Sequence, residues 1–448
     1  MELTDREERK REARRNLYAP LQEDPLDLDE IFAVFTDCLS VNYAGFAQKR
    51  RRFTPSEYRT YILSHYRYNT LSLQMLARSL HQFAADMHDR HLRFICDDWI
   101  DYRNTRVRFR VRAQQDALWV TEAAPETGLV PGDKLLTIQR MTPEQIRRYL
   151  RHNGFYSEEP ERELWGGYLS MAANAEVEHA DGSRETLALR QFPAEEERYR
   201  VALDEPAPRT VRLTLERTDR AAIEALLREH EAVIAGCERL ILDLRRCIGG
   251  DEDACLPLLP YLVERETPLE ELLGEEGCYV NCTKANCELR YRVLSAYGET
   301  VSDPEERALL EQERQFYLSH YGKGLVWREP QPSDGRTVRP TSVAPHSVVV
   351  ITDTFCEDEG ELFAAACRRC GAKVRTVGRP TMGTLDFFDP ITVQLNAHMS
   401  LAYPIAMSKA AYEGHGIADK GLPVDRYIPW TPAEIREDQL LRAALEFS

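Results

Sequence analysis

His346–Phe388 reads HSVVVITDTFCEDEGELFAAACRRCGAKVRTVGRPTMGTLDFF, and the order of elements in it decides the fold. Ser347 to Thr352 is a short apolar run rich in β-branched residues, the composition of a buried strand. Leu362, Phe363, Ala366 and Cys370 then fall on one helical face, so a strand passes through a sharp turn into a helix. A second strand follows. In open α/β sheets ligands bind at the carboxyl ends of strands, and a helix starting there presents free N–H groups and the positive end of its dipole. The turn is therefore the place to look for chemistry.

The spacing TDTFCEDEGELFAAA, followed by VGRPTMG, resembles the tail-specific (C-terminal processing) serine peptidases and their tricorn relatives. In that family the turn carries a nucleophilic serine three residues before an acidic residue of the helix, and a Gly-x-x-Thr-x-Gly strand end follows. LILDLRRCIGG (Leu240 to Gly250) is similar to the family's strand and glycine pair, and IADKGLPVDRYIP to its closing segment, with Val424 where proline is usual. The resemblance implies a crotonase-like α/β core over about 206–448. It also implies that Gly249 and Gly250 supply part of an oxyanion hole, although a tight strand-to-helix turn would use the same glycines.

Laid residue by residue on that motif, the nucleophile position is Asp358 and the next residue, whose N–H would help hold the oxyanion, is Glu359. The turn contains no serine. The lysine that some of these peptidases use as base corresponds to Thr384. Tricorn-like relatives use instead a histidine in a segment similar to MHDRHLRF, which makes His91 the base position; a polar residue closing a helical domain is its other reading.

Three readings of the turn stay open. Asp358 and Glu361 have the Asp-x-x-Glu spacing of a capping box, and acids in a first helical turn favour the dipole by about 0.3–1 kcal/mol each, which needs no catalysis. Cys356 lies near the helix start, where a thiol can be activated by a histidine, although the carboxylates around it raise its pKa. A carboxylate-based hydrolase would use Asp358 and His91 as acid and base. Against catalysis, Glu357, Asp358 and Glu359 are consecutive, and two like charges about 4 Å apart repel by roughly 4 kcal/mol at an effective dielectric near 20. A cleft lined by them opposes an oxyanion.

With 448 residues the chain is long enough for two or three domains. A net charge of -16 and a pI near 5.3 argue against nucleic acid as the main partner, because phosphate binding needs a basic footprint. Lys49-Arg50-Arg51-Arg52 reads as a solvated patch. No stretch approaches a membrane span and the first residues lack a leader-like apolar core, so a cytoplasmic protein with reduced cysteines is expected. Cys278, Cys282 and Cys287 match no common zinc spacing, Cys367 and Cys370 lie inside the helix rather than at its start, and His88 and His91 lack a third ligand nearby. Neither a metal nor a cofactor is expected.

The expected order is a charged arm over 1–24, a helical domain over 25–100, a PDZ-like module over 101–205, and the core. Ile31, Val34, Phe35, Cys38 and Leu39 form one helical face, and Leu73, Leu76, Leu80, Phe83 and Met87 a second, with Asn69 or Thr70 as its cap. TGLVPGDKLLTIQRMTPEQIRRYL resembles the part of a PDZ domain where a Pro-Gly-Asp turn leads into a strand and a helix. Such domains take peptides by sheet-edge addition, which makes an extended peptide or an unfolded protein tail the expected partner. A helix through Ile223 to Ile234 and a terminal helix from Pro432 to Glu446 are also expected, and an insertion over about 264–343 could form a lid.

Overall fold

The computed structural model describes residues 28–49, 54–65, 73–97, 105–150, 157, 159–193, 199–274, 277–330, 335–341 and 345–447. The charged arm over 1–24, the Asn69 and Thr70 cap and Arg50 to Arg52 lie outside them.

Ser347–Thr352 sits inside a six-stranded sheet. From one edge to the other the strands are Arg426–Tyr427, Val374–Gly378, Ser347–Thr352, Arg239–Asp243, Thr210–Leu215 and Val201–Ala207. All neighbours are parallel except the last pair. A parallel sheet must be covered on both faces, which is why its strands are apolar without alternation. Val348 and Val350 pack with Leu213, Leu242 and Phe363 on one face, under the helix Glu359–Arg369. Val349 and Ile351 pack with Ile241 and Val377 on the other, under Leu440 and Ala444 of the helix Gln439–Glu446.

A second, antiparallel sheet is built on the long strand Met399–Ser408. Phe387–Gln394, Arg93–Cys96 and Cys278–Cys282 pair with it, and Gly324–Arg328 extends it. The helices Leu28–Asp37, Pro55–His65 and Leu73–Asp86 pack on this sheet through Phe35, Leu39, Ile62, Leu76 and Leu80 against Leu401 and Tyr403. Two strands of the long insertion belong to the same sheet, and Cys287 and Tyr317 of its helices Lys284–Gly298 and Pro304–Ser319 join the same core. Much of the segment read as a lid is thus structural.

A third sheet contains Phe109–Gln114, Ala117–Ala123, Lys134–Ile138, Asn174–Glu178 and Arg184–Ala188, in that order and all antiparallel. Its core is formed by Leu118, Val120, Leu135, Ile138, Ile146 and Trp165. Among the described residues no helix is long and apolar enough to cross a membrane.

Three local expectations are corrected. Lys49 is not solvated: its side chain is buried, donates to the His88 carbonyl at 2.7 Å and pairs with Asp419 at 3.3 Å. The helix expected through Ile223 to Ile234 divides at His230 into Arg220–Glu229 and Glu231–Ala235. The terminal helix starts only at Gln439, because Asp438 lies outside helical geometry and its carboxylate caps the Leu441 N–H at 2.9 Å; Pro432–Ile435 forms a separate 3-10 turn.

Candidate active site

At the carboxyl end of Ser347–Thr352 the chain is held by Asp353. Its carboxylate accepts from Arg379 Nε at 3.0 Å and from the Thr354 N–H at 2.7 Å, and it also binds Arg112 of the third sheet. Arg379 is fully buried and reaches Glu434 at 2.6 Å, so one ionic network joins the turn to two other parts of the fold. The chain then bends over the Leu240–Gly250 segment: the Glu357 N–H donates to the Cys247 carbonyl at 2.9 Å. Gly360 has no room for a side chain there, since a Cβ would lie 2.5 Å from that carbonyl oxygen.

Asp358 occupies the apex with φ 52° and ψ -128°. Glycine is the residue that takes this conformation readily, and another residue held there stores about 1–3 kcal/mol. Its N–H donates to Thr384 Oγ1 at 2.8 Å, and Thr384 Oγ1 in turn donates to Glu361 Oε2 at 2.8 Å. Glu361 therefore caps nothing. Its buried carboxylate instead accepts from the Gly383 and Thr384 N–H groups, at 2.8 and 2.6 Å, and from the Thr381 hydroxyl. Asp358 makes no side-chain cap either, so the expected capping box is absent. The carboxylate of Glu361 fastens the Thr381–Thr384 strand end to the helix, and Thr384 fastens the turn to both.

The side chain of Asp358 points to His91, whose Nε2 lies 2.9 Å from Asp358 Oδ1. His91 follows the helix Leu73–Asp86 and stands two residues before the start of Arg93–Cys96; pairing of that strand with Met399–Ser408 brings the histidine to the turn. Its backbone N–H donates to Asp89 Oδ1 at 2.9 Å, and Asp89 Oδ2 accepts from Tyr43 at 2.6 Å. Burial lowers the His91 pKa, but Asp358, Asp89 and the Phe387 carbonyl outweigh it and the net shift is upward. Burial raises the Asp358 pKa, and His91, Arg90 and Arg93 reverse it to a net lowering. The two shifts describe one ion pair.

Glu359 turns the other way. Its Oε2 accepts the Gly250 N–H at 2.8 Å, and a Cβ on Gly249 would collide with that oxygen and stand 2.7 Å from Asp358 Cβ. Gly249 and Gly250 thus lie against Asp358 and Glu359. Burial raises the Glu359 pKa, partly offset by its own N–H and that of Gly250 and reinforced by Asp358 and Glu252. Glu357 is drawn off by Arg90, with Arg90 Nε 2.9 Å from Glu357 Oε2. The three consecutive acids are separated by three different partners, which is how the turn tolerates them.

Cys356 does not join this group. It is fully buried among Leu213, Leu242 and Phe363, and burial, then Cys247, Glu361, Glu357 and Asp353, raise its thiol well above the ordinary range. A thiolate nucleophile needs the opposite environment. His88 is likewise separate from His91, its Nδ1 lying 3.8 Å from Asp419 Oδ1. Among the described residues no group of three or more His, Cys, Asp or Glu side chains is placed to hold a metal. Sequence reasoning missed Tyr43, Asp89, Arg90 and the acceptor role of Glu361. Arg90 was adjacent to a named residue, but only the fold shows its partner.

Beside the turn a cleft of about 580 Å³ opens between the third sheet and the central one. Phe109 to Arg112, Trp165, Asp243, Asp353, Phe355 and Trp430 are among its walls, and Arg90 links it to the His91 side.

No protein-family model matches the chain, and no curated protein is significantly similar in sequence. Solved structures do match in fold. Mature CPAF complexed with lactacystin superposes with a TM-score of 0.60 at 13% identity, covering 94% of this chain and 97% of that one. Mature CPAF gives 0.60 at 12% identity, covering 94% and 96%. The photosystem II D1 C-terminal processing protease gives 0.44 at 14% identity, covering 90% and 94%. At these identities the likeness to CPAF establishes a shared mixed α/β fold.

Proposed function

We propose that this chain is a relative of the tail-specific peptidases that binds extended peptides or protein tails and does not cleave them. On this reading the central sheet is a crotonase-like core, the third sheet is a PDZ-like module, and the peptide lies in the cleft between them. One observation carries the loss of cleavage: the Glu359 carboxylate rests on the Gly250 N–H at 2.8 Å, where an oxyanion would need that donor. A fixed anion on the donor opposes a second negative charge, and loss of one such donor typically costs about 2.7–4 kcal/mol of transition-state stabilisation. At the nucleophile position stands a carboxylate already paired with the histidine. Binding is supported by the cleft itself and by its wall Phe109–Gln114, the outer strand of its sheet.

The test is to incubate the protein with an unfolded protein and with activated esters while following a labelled peptide by fluorescence anisotropy. Saturable peptide binding without turnover is the expected result. Turnover that disappears in a His91→Ala variant would overturn it.

A second reading is favoured by the strained backbone of Asp358, since strain is commonly retained where a side chain is used. In it Asp358 acts with His91 as a carboxylate-based hydrolase, and the same ester assay, repeated with Asp358→Asn, decides between the two.

A further inference from the structure

The chain carries a net charge of -16, yet the walls of the cleft are rich in arginine. The deeper carboxylates are committed. Asp243 binds Arg245, Asp353 binds Arg379 and Arg112, Glu163 accepts from Arg147 Nε at 2.7 Å, and Glu434 is held by Arg379. At the mouth the balance differs. Among the described residues Arg110, Arg200 and Arg246 face only Glu122 and Glu216: Arg246 Nη1 is 3.2 Å from Glu122 and 3.8 Å from Glu216, and Arg110 Nε is 3.5 Å from Glu122. Arg200 meets Glu216 only through its backbone N–H, at 2.9 Å, and its guanidinium makes no ion pair among the described residues. Among the described residues three cations thus share two anions. Further in, Arg112 is more than nine-tenths buried, lies over the Phe355 ring at 5.0 Å, and leaves Nη1 without a hydrogen-bond partner. A buried guanidinium donor with no acceptor carries a desolvation cost that a carboxylate oxygen would relieve.

We propose that the mouth of the cleft selects acidic peptides, with Arg110, Arg200 and Arg246 receiving carboxylates of a peptide that lies along the Phe109–Gln114 edge. This rests on the peptide-binding reading above and adds the chemical class of the ligand. Arg110 belongs to that edge strand, and Arg246 follows the strand Arg239–Asp243 across the cleft, so both walls offer guanidinium groups to one extended chain. Arginine suits the role because its planar fork binds a carboxylate bidentately while keeping its charge.

The experiment uses the full chain and short fluorescein-labelled peptides of one length: a glutamate-bearing peptide and its glutamine counterpart, each with a free and with an amidated C-terminus. The glutamate peptide should bind about tenfold more tightly, the scale of one charge-assisted hydrogen bond, and lose that advantage as salt is raised. An Arg110→Gln, Arg200→Gln, Arg246→Gln triple variant should bind the glutamate and glutamine peptides equally. Equal binding of both by the unmodified protein, or a preference that survives the triple variant, would overturn the proposal while leaving peptide binding intact. A preference that follows only the free C-terminus would assign the contact to the terminal carboxylate and would equally overturn it. Failure of every peptide to bind would instead defeat the peptide-binding reading itself.

Discussion

His91 Nε2 stands 2.9 Å from Asp358 Oδ1, so two residues from distant parts of the chain meet in one ion pair. On the proposed reading this turn is a hydrolytic scaffold carrying two carboxylates, Asp358 and Glu359. Replacing them is then a direct test: Asp358→Ser with Glu359→Gly supplies a hydroxyl beside His91 and frees the Gly250 N–H. Weak ester hydrolysis should appear and should vanish on adding His91→Ala. Asp358→Ser alone, with Glu359 still on the donor, should be slower by about 10²–10³. Equal rates in the single and double variants would show that Glu359 does not obstruct the site.

The strain at Asp358 is measurable apart from its charge. Asp358→Gly and Asp358→Ala both remove the carboxylate, but only glycine takes φ 52° and ψ -128° without cost. The glycine variant should be more stable than the alanine variant by about 1 kcal/mol in urea unfolding. In an ordinary helical position the sign is the reverse, so alanine proving the more stable would refute the strain.

The ion pair sets a pH window. The raised His91 contributes stability that is complete below its unfolded pKa, near 6.5, and is lost as pH rises through the folded value. The lowered Asp358 contributes stability that is complete above its unfolded pKa, near 4, and is lost as pH falls through the folded value. The stability difference between the unmodified protein and Asp358→Asn should be largest between about pH 4 and 6.5 and shrink on both sides. A difference that grows above pH 8 would contradict the pairing.

Arg379 is buried between Asp353 and Glu434, and Arg379→Met leaves Glu434 without its arginine and Asp353 with only Arg112. Removing one partner of a buried ion pair costs about 3–5 kcal/mol. Chemical denaturation should show a loss of that order. A loss within about 0.5 kcal/mol would mean the network contributes little to holding the turn.

The buried Cys356 thiol should resist iodoacetamide in the native protein and react only after unfolding. Peptide mapping by mass spectrometry reads this directly. Native labelling of Cys356 would return the thiol to consideration as a reactive group.

Features set by near neighbours along the chain were legible without the fold. The run of β-branched residues at Ser347–Thr352 makes a strand that must be covered on both faces, and the apolar face of Leu362, Phe363 and Ala366 makes a helix that covers one of them. Their order places a turn at the end of a parallel strand, and the acids in that turn are written in the chain. Even the neighbours of the turn, His91, Gly249 and Gly250, were identifiable by resemblance of short segments. Which atom each acid meets was decided only by the tertiary structure. Glu361 has the spacing of a cap yet turns to Gly383 and Thr384, because a buried carboxylate takes the donors that packing brings to it. Lys49 sits in a basic run yet is buried, because Asp419 and the His88 carbonyl come within its reach. Cys356, two residues from Asp358, faces the opposite side of the turn and enters the core. Spacing along a chain fixes which face a side chain takes; the partner on that face comes from segments folded in from far away.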